Sequence, residues 1–347
     1  MSSISESGLD AASDVNCGSG GGSDTYFGLR VASIFIIGFG STAGALFPVL
    51  AKRTKYLQVP KCIFDFAKFF GSGVIIATAF IHLLSPALEA LESECLSPAW
   101  GDYPYALALC LLSIFSIFIV ELIAFRWGTA KLAKIGAHHD AHGHDVGSHA
   151  AHGPESNVMV DDASLEKDVE KSGSGNTHKH HLADSALAQI VGVAILEFGV
   201  ALHSVLIGLT LAVDEEFKVL FVVLVFHQTF EGLGLGTRLA YMRLPQKYNF
   251  IPILGALVCG LTTPVGIAVG LGVRTTYNPG TATASIVSGV LDSLSAGILI
   301  YTGLVELLAH EFIFNKEMME SSNGKLAYSV GSMLLGCGLM ALLGRWA

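Results

Sequence analysis

Charge is scarce in this chain. Of 347 residues only 14% are Asp, Glu, Lys or Arg, where a soluble globular protein carries about 25%. That shortage excludes an ordinary soluble enzyme, and a formal net charge of −9 argues against nucleic-acid binding. The six cysteines are scattered and none forms C-x-x-C, which excludes the common thiolate zinc and redox motifs. Cys110, Cys259 and Cys337 lie in apolar runs and read as packing residues. No N-x-S/T sequon and no H-E-x-x-H helix occur, and no nucleophile–base pair is evident. Residues 1–26 are polar, acidic and Gly/Ser-rich, without the basic start and apolar stretch of a cleavable signal peptide. They read as a disordered tail, with the first apolar run serving as an uncleaved insertion signal.

What is present is apolar length. Hydrophobic residues make up 52%, and eight windows match the bilayer core, at about 27–50, 65–87, 104–126, 185–213, 217–240, 250–273, 284–308 and 325–345. The expected fold class is therefore an all-α polytopic membrane protein with eight transmembrane helices in a lipid bilayer. The 39 glycines suit close helix packing in lipid. Sixteen of the 20 Lys and Arg residues fall in the connections between spans 1–2, 3–4, 5–6 and 7–8 with the adjoining helix ends; Arg30, Lys218, Arg274 and Arg345 fall on the other side. By the positive-inside rule those four connections are cytosolic and both termini extracellular. Cys17 and Cys95 then share the outer side, where a disulfide between them stays open.

This organisation divides the chain into an extracellular tail 1–26, helices 1–3 over 27–126, a cytosolic His-rich variable loop 127–183, and helices 4–8 over 184–347. The loop holds nine of the 13 histidines: His138, His139, His142, His144, His149, His152, His178, His180 and His181. Neutral imidazole is a good zinc ligand, so a flexible loop of this kind can gather an ion as a low-affinity buffer or sensor. A solvated spacer is the other reading. Trafficking or ubiquitination machinery is a candidate partner there.

The spans carry the sharper signal. A charge at a helix centre costs roughly 2.5–3.5 kcal/mol on insertion scales. Yet span 4 contains EFGVALHSVLIG and span 5 contains FHQTFEGLGLG. His227 and Glu231 are four apart and share a helix face, with Gln228 beside them. His203 and Ser204 supply the counterpart on span 4, and Glu197 reads as an entrance or relay carboxylate. Gly232, Gly234 and Gly236 would let another helix approach. Weaker pathway candidates are His82, ending IIATAFIH on the outer side, Asp292 with Ser295 in span 7, and Glu306 with His310 near the cytosolic end of that span. Zinc accepts imidazole nitrogen and carboxylate oxygen, and a mixed N/O site releases its ion more readily than a thiolate cage.

These motifs resemble the ZIP (zinc- and iron-regulated transporter-like) family, and within it the fungal zinc-regulated transporters of the plasma membrane. IIATAFIHLLSPAL, HSVLIGL, HQTFEGLGLG, TTPVGIAVG and SAGILIYTGLVELLAHEF carry the resemblance over nearly all of 27–347. It implies a ZIP-type fold with an inverted repeat, in which spans 1, 4, 5 and 6 move as a block. It implies uptake of divalent zinc, or of iron, manganese or cadmium, through His203, Ser204, His227, Gln228 and Glu231. No cofactor is expected; the divalent metal ion is cargo. In bacterial relatives a glutamate stands at Ile207 and an aspartate at Gln228, so one main site rather than two is expected. An intracellular organelle membrane stays open as the location, as does a homodimer. The rival classes are an intramembrane zinc metalloenzyme, an efflux carrier and a non-transporting sensor.

Overall fold

The computed structural model describes residues 17, 25–54, 59–133, 177–242 and 244–346, with 124–125, 127–133 and 177–189 described by backbone alone. In hydrocarbon every backbone N–H and C=O must find its partner within the segment, which leaves the helix as the form for single spans. Among the described residues there is no strand, and eight helices are long and apolar enough to cross a membrane. They are α1 (Phe27–Arg53), α2 (Lys61–Leu91), α3 (Tyr105–Ala133), α4 (Thr177–Val213), α5 (Phe217–Tyr241), α6 (Ile251–Val273), α7 (Ala282–Ile313) and α8 (Asn323–Leu343). The eight expected windows fall on these helices.

Helical backbone is described to Ala133 and again from Thr177, so both ends of the 127–183 segment carry helix. Good helix formers such as Lys131, Leu132 and Ala133 extend the end of α3. His178, His180 and His181 therefore lie on the backbone of α4. His138, His139, His142, His144, His149 and His152 lie outside the described residues, as does most of the tail.

Outward faces are apolar: Phe39 is 78% exposed and Phe35 72%, a surface that fits lipid and not water. Inward, α1 packs on α5 and α6, α4 on α6 and α7, α2 on α8 and α5, and α3 on α7. The expected role of the α5 glycines holds. Gly232 and Gly236 face Ser41 and Ala45 of α1. A Cβ on Gly234 would stand 3.0 Å from the Gly71 carbonyl oxygen of α2.

Two spans are not regular. α2 widens into a π-helical stretch at Thr78–Leu84 and α7 at Thr302–Ile313. Such stretches close hydrogen bonds one residue further along and recur at functional sites. They carry His82 in α2 and Glu306, His310 and Glu311 in α7.

The ends are tied. Buried Arg30 donates to the carbonyls of Leu211 (3.0 Å) and Asp214 (2.7 Å) at the end of α4, satisfying groups that a helix C-terminus leaves open. Cys17 and Cys95 form a disulfide that joins the tail to the α2–α3 connection, so the pairing left open by the sequence is present. Between α7 and α8, the Lys325 ammonium bonded at 2.8 Å holds the Glu317 carboxyl below its usual range.

Candidate metal centre

Small residues set the position of α4. Cβ atoms at Gly199 would press on Leu299 and Ile298 of α7, and one at Gly208 on the backbone of Thr263 and Ile267 of α6. Between those two contacts sits His203. On α5 the four-residue spacing brings His227 and Glu231 onto one face, and Nε2 of His227 stands 3.9 Å from Oε2 of Glu231.

The two helices converge. One ligand atom each from His203, His227 and Glu231 lie within 4.8 Å of one another, and all three residues are buried. Among the described residues this is the one such grouping of three or more His, Cys, Asp or Glu. The rings of His203 and His227 are 5.6 Å apart at 38°. With bonds of about 2.1 Å, tetrahedral zinc holds its donors about 3.4 Å apart, so donors within 4.8 Å of one another need close by no more than about 1.4 Å to bind.

Several polar atoms here are costly as they stand. His203 Nε2, both His227 ring nitrogens, both Glu231 oxygens, Gln228 Nε2 and Ser204 Oγ are buried without a hydrogen-bond partner among the described residues. An unsatisfied buried polar group costs about 1–3 kcal/mol, more if charged. A divalent cation would satisfy several at once: two neutral imidazoles and a carboxylate form a mixed N/O donor set suited to zinc.

The weaker candidates distribute unevenly. The ring of His82, a pathway candidate, lies directly against that of His227, with centroids 4.6 Å apart. Asp292 of α7 is drawn in, its Oδ1 3.9 Å from Nδ1 of His203. Glu197 lies toward α6, its carboxylate in the space that a Cβ on Gly255 would need. Glu306 and His310, four apart, lie in the π-helical stretch of α7, where Glu306 faces Arg238 of α5 at 3.8 Å and the His310 ring packs on Phe314.

Sequence reasoning passed over three polar contacts within the bundle. Lys68 and Glu311 form a 2.8 Å ion pair between α2 and α7. Arg238, 5% exposed, is the cation opposite Glu306. Tyr301 of α7 donates to Glu121 of α3 at 2.6 Å. The available signal was a charged residue inside an apolar run, as at Glu121 and Lys68.

The chain as a whole is similar to known proteins. The family model described as "ZIP Zinc transporter" matches residues 27–344. The chain is 43% identical to Zinc-regulated transporter 1 of Saccharomyces cerevisiae, over 92% of this chain and 88% of that protein. It is 38% identical to Zinc-regulated transporter 2 of the same yeast, over 95% of this chain and 97% of that protein. It is 39% identical to Zinc-regulated transporter 1 of Schizosaccharomyces pombe, over 97% and 90% respectively.

Proposed function

Because the chain belongs to the ZIP zinc transporter family, we propose that it carries zinc ions into the cytosol through the cluster of His203, His227 and Glu231, with Ser204 and Gln228 lining it. Its activity is transport rather than enzymatic catalysis. The observation that carries the site assignment is the convergence of three buried donors from α4 and α5 within 4.8 Å.

The mechanism follows from the donors. Neutral imidazoles bind zinc without first losing a proton, and Glu231 offsets part of the charge. No thiolate is in the set, so the ion is held transiently and can leave. Iron, manganese and cadmium are candidate cargoes of the same site. His82 and Glu197 flank the route, with Glu306 and His310 toward release. The basic connections lie in the cytosol and both termini outside, in a plasma-membrane protein. The packing of α1 with α5 and α6, and of α4 with α6, supports these four moving together. The His-rich connection acts as a cytosolic metal buffer or sensor where regulatory machinery docks, apart from the transport path. One ion occupies the centre, because Gln228 and Ile207 bring no second charge to it.

Radiolabelled zinc uptake in cells lacking their own importer tests this reading. His203→Ala, His227→Ala and Glu231→Ala should each bring uptake close to background at matched surface abundance. Normal uptake by any two of these variants sinks the site assignment, and zinc leaving loaded cells rather than entering sinks the direction.

A further inference from the structure

Asp292 stands in a specific relation to this centre. Its Oδ1 is 3.9 Å from Nδ1 of His203, yet the grouping of donors within 4.8 Å of one another comprises His203, His227 and Glu231 without it. Asp292 thus reaches the centre through the His203 ring. Its Oδ1 is buried without a hydrogen-bond partner among the described residues, and so is Nε2 on the opposite side of that ring.

Charge makes the same point. A divalent cation with two neutral imidazoles and one carboxylate keeps a net charge of about +1, and an uncompensated buried charge is expensive. Asp292, one ring away and 9% exposed, supplies the missing negative charge. A histidine that binds a metal through one nitrogen commonly donates its other ring N–H to a carboxylate, which fixes tautomer and orientation and raises basicity.

We propose that Asp292 is a positioning residue for the transported ion: its carboxylate accepts Nδ1–H of His203, fixes the tautomer that presents Nε2 to the metal, and balances the charge of the loaded centre. The proposal rests on the reading of His203 as a metal donor. The approach it requires, from 3.9 Å to about 2.8 Å, is of the same size as the contraction the three donors need. It also gives α7, which contributes no atom to the three-donor cluster, a direct link to whether the centre is loaded.

The test uses the purified full chain with Co2+ as a spectroscopic probe. Asp292→Ala should weaken Co2+ affinity about 10–100-fold and leave the visible absorption envelope at saturation unchanged. Asp292→Asn keeps a carbonyl acceptor without charge and should fall between Ala and the parent; it is also the variant least prone to misfold. In uptake the loss should appear mainly as a raised KM. In a His203→Ala background, Asp292→Ala should add little further loss, because both act through one ring. Unchanged affinity and KM in both Asp292 variants overturn the proposal. An altered envelope at saturation overturns it too, making Asp292 a direct ligand, and so does a fully additive loss in the double variant. If His203→Ala itself leaves Co2+ affinity intact, the metal-centre reading fails and the proposal with it; a loss confined to His203→Ala refutes only the role of Asp292.

Discussion

The imidazole of His82 stands edge-on to that of His227, with ring centroids 4.6 Å apart and planes at 87°. Nε2 of His82 lies 2.9 Å from the Met340 carbonyl oxygen of α8. A carbonyl only accepts, so Nε2 carries a hydrogen and donates it to α8, and in the neutral ring Nδ1 then keeps its lone pair. His82 is thus anchored to α8 as a direct neighbour of the central donors. His82→Ala should slow zinc uptake about tenfold, equivalent to about 1.4 kcal/mol of barrier, without abolishing it. Initial rates at matched surface abundance decide the matter. A loss as complete as that of Glu231→Ala would make His82 a member of the central set, and an unchanged rate would reduce it to packing.

Lys68 and Glu311 give a prediction about stability. Their 2.8 Å pair joins α2 to α7, with side chains 9% and 6% exposed. Removing one partner of a buried pair strands the other charge and costs about 3–5 kcal/mol, whereas replacing both by apolar residues of similar volume is often neutral or stabilising. Lys68→Met and Glu311→Leu should each lower the thermal unfolding midpoint in detergent, and the double variant should recover most of the loss. A double variant less stable than either single one would show that the pair supports more than its own charges.

The eight spans were legible because apolar length is a local property, and His227 with Glu231 was legible because four-residue spacing on a helix is local too. The contact between His203 and Asp292 was not, since no periodicity relates residues on α4 and α7. Lys68 and Glu311, 243 residues apart in the chain, illustrate the same limit. The winding around Glu306 and His310 was hidden for a different reason: four-residue spacing presumes an α-helical turn, and α7 is π-helical over Thr302–Ile313. The disulfide lies between these cases, because sidedness can bring Cys17 and Cys95 to the same face but cannot bring them together.

The approach of α5 to α2 depends on the absence of side chains. Any Cβ on Gly234 would stand 3.0 Å from the Gly71 carbonyl oxygen and 3.1 Å from its Cα, and backbone cannot yield as a side chain can. Gly234→Val should reduce surface abundance and uptake severely. Gly272→Ala, where nothing lies within 4 Å, should be tolerated. Equal abundance of the two variants would mean that α5 can withdraw from α2 without harm.

Gln228 is the residue at which cargo selectivity should be most open to change. It is 1% exposed, adjacent to His227 on α5, and its Nε2 has no hydrogen-bond partner among the described residues. Gln228→Asp shortens the side chain by one methylene and adds a hard carboxylate oxygen beside two imidazoles. Hard oxygen donors favour manganese and similar cations relative to zinc. The added negative charge also lowers the cost of a second divalent ion in a site that now has one carboxylate in its three-donor cluster. Zinc uptake should therefore persist, while manganese and iron compete against it about tenfold better than in the parent, a shift of about 1.4 kcal/mol in relative affinity. The measurement is the ratio of inhibition constants for competing metals at equal surface abundance. If that ratio is unchanged while zinc uptake stays normal, Gln228 does not face the ion, and the site must be built from His203, His227 and Glu231 without that side of α5.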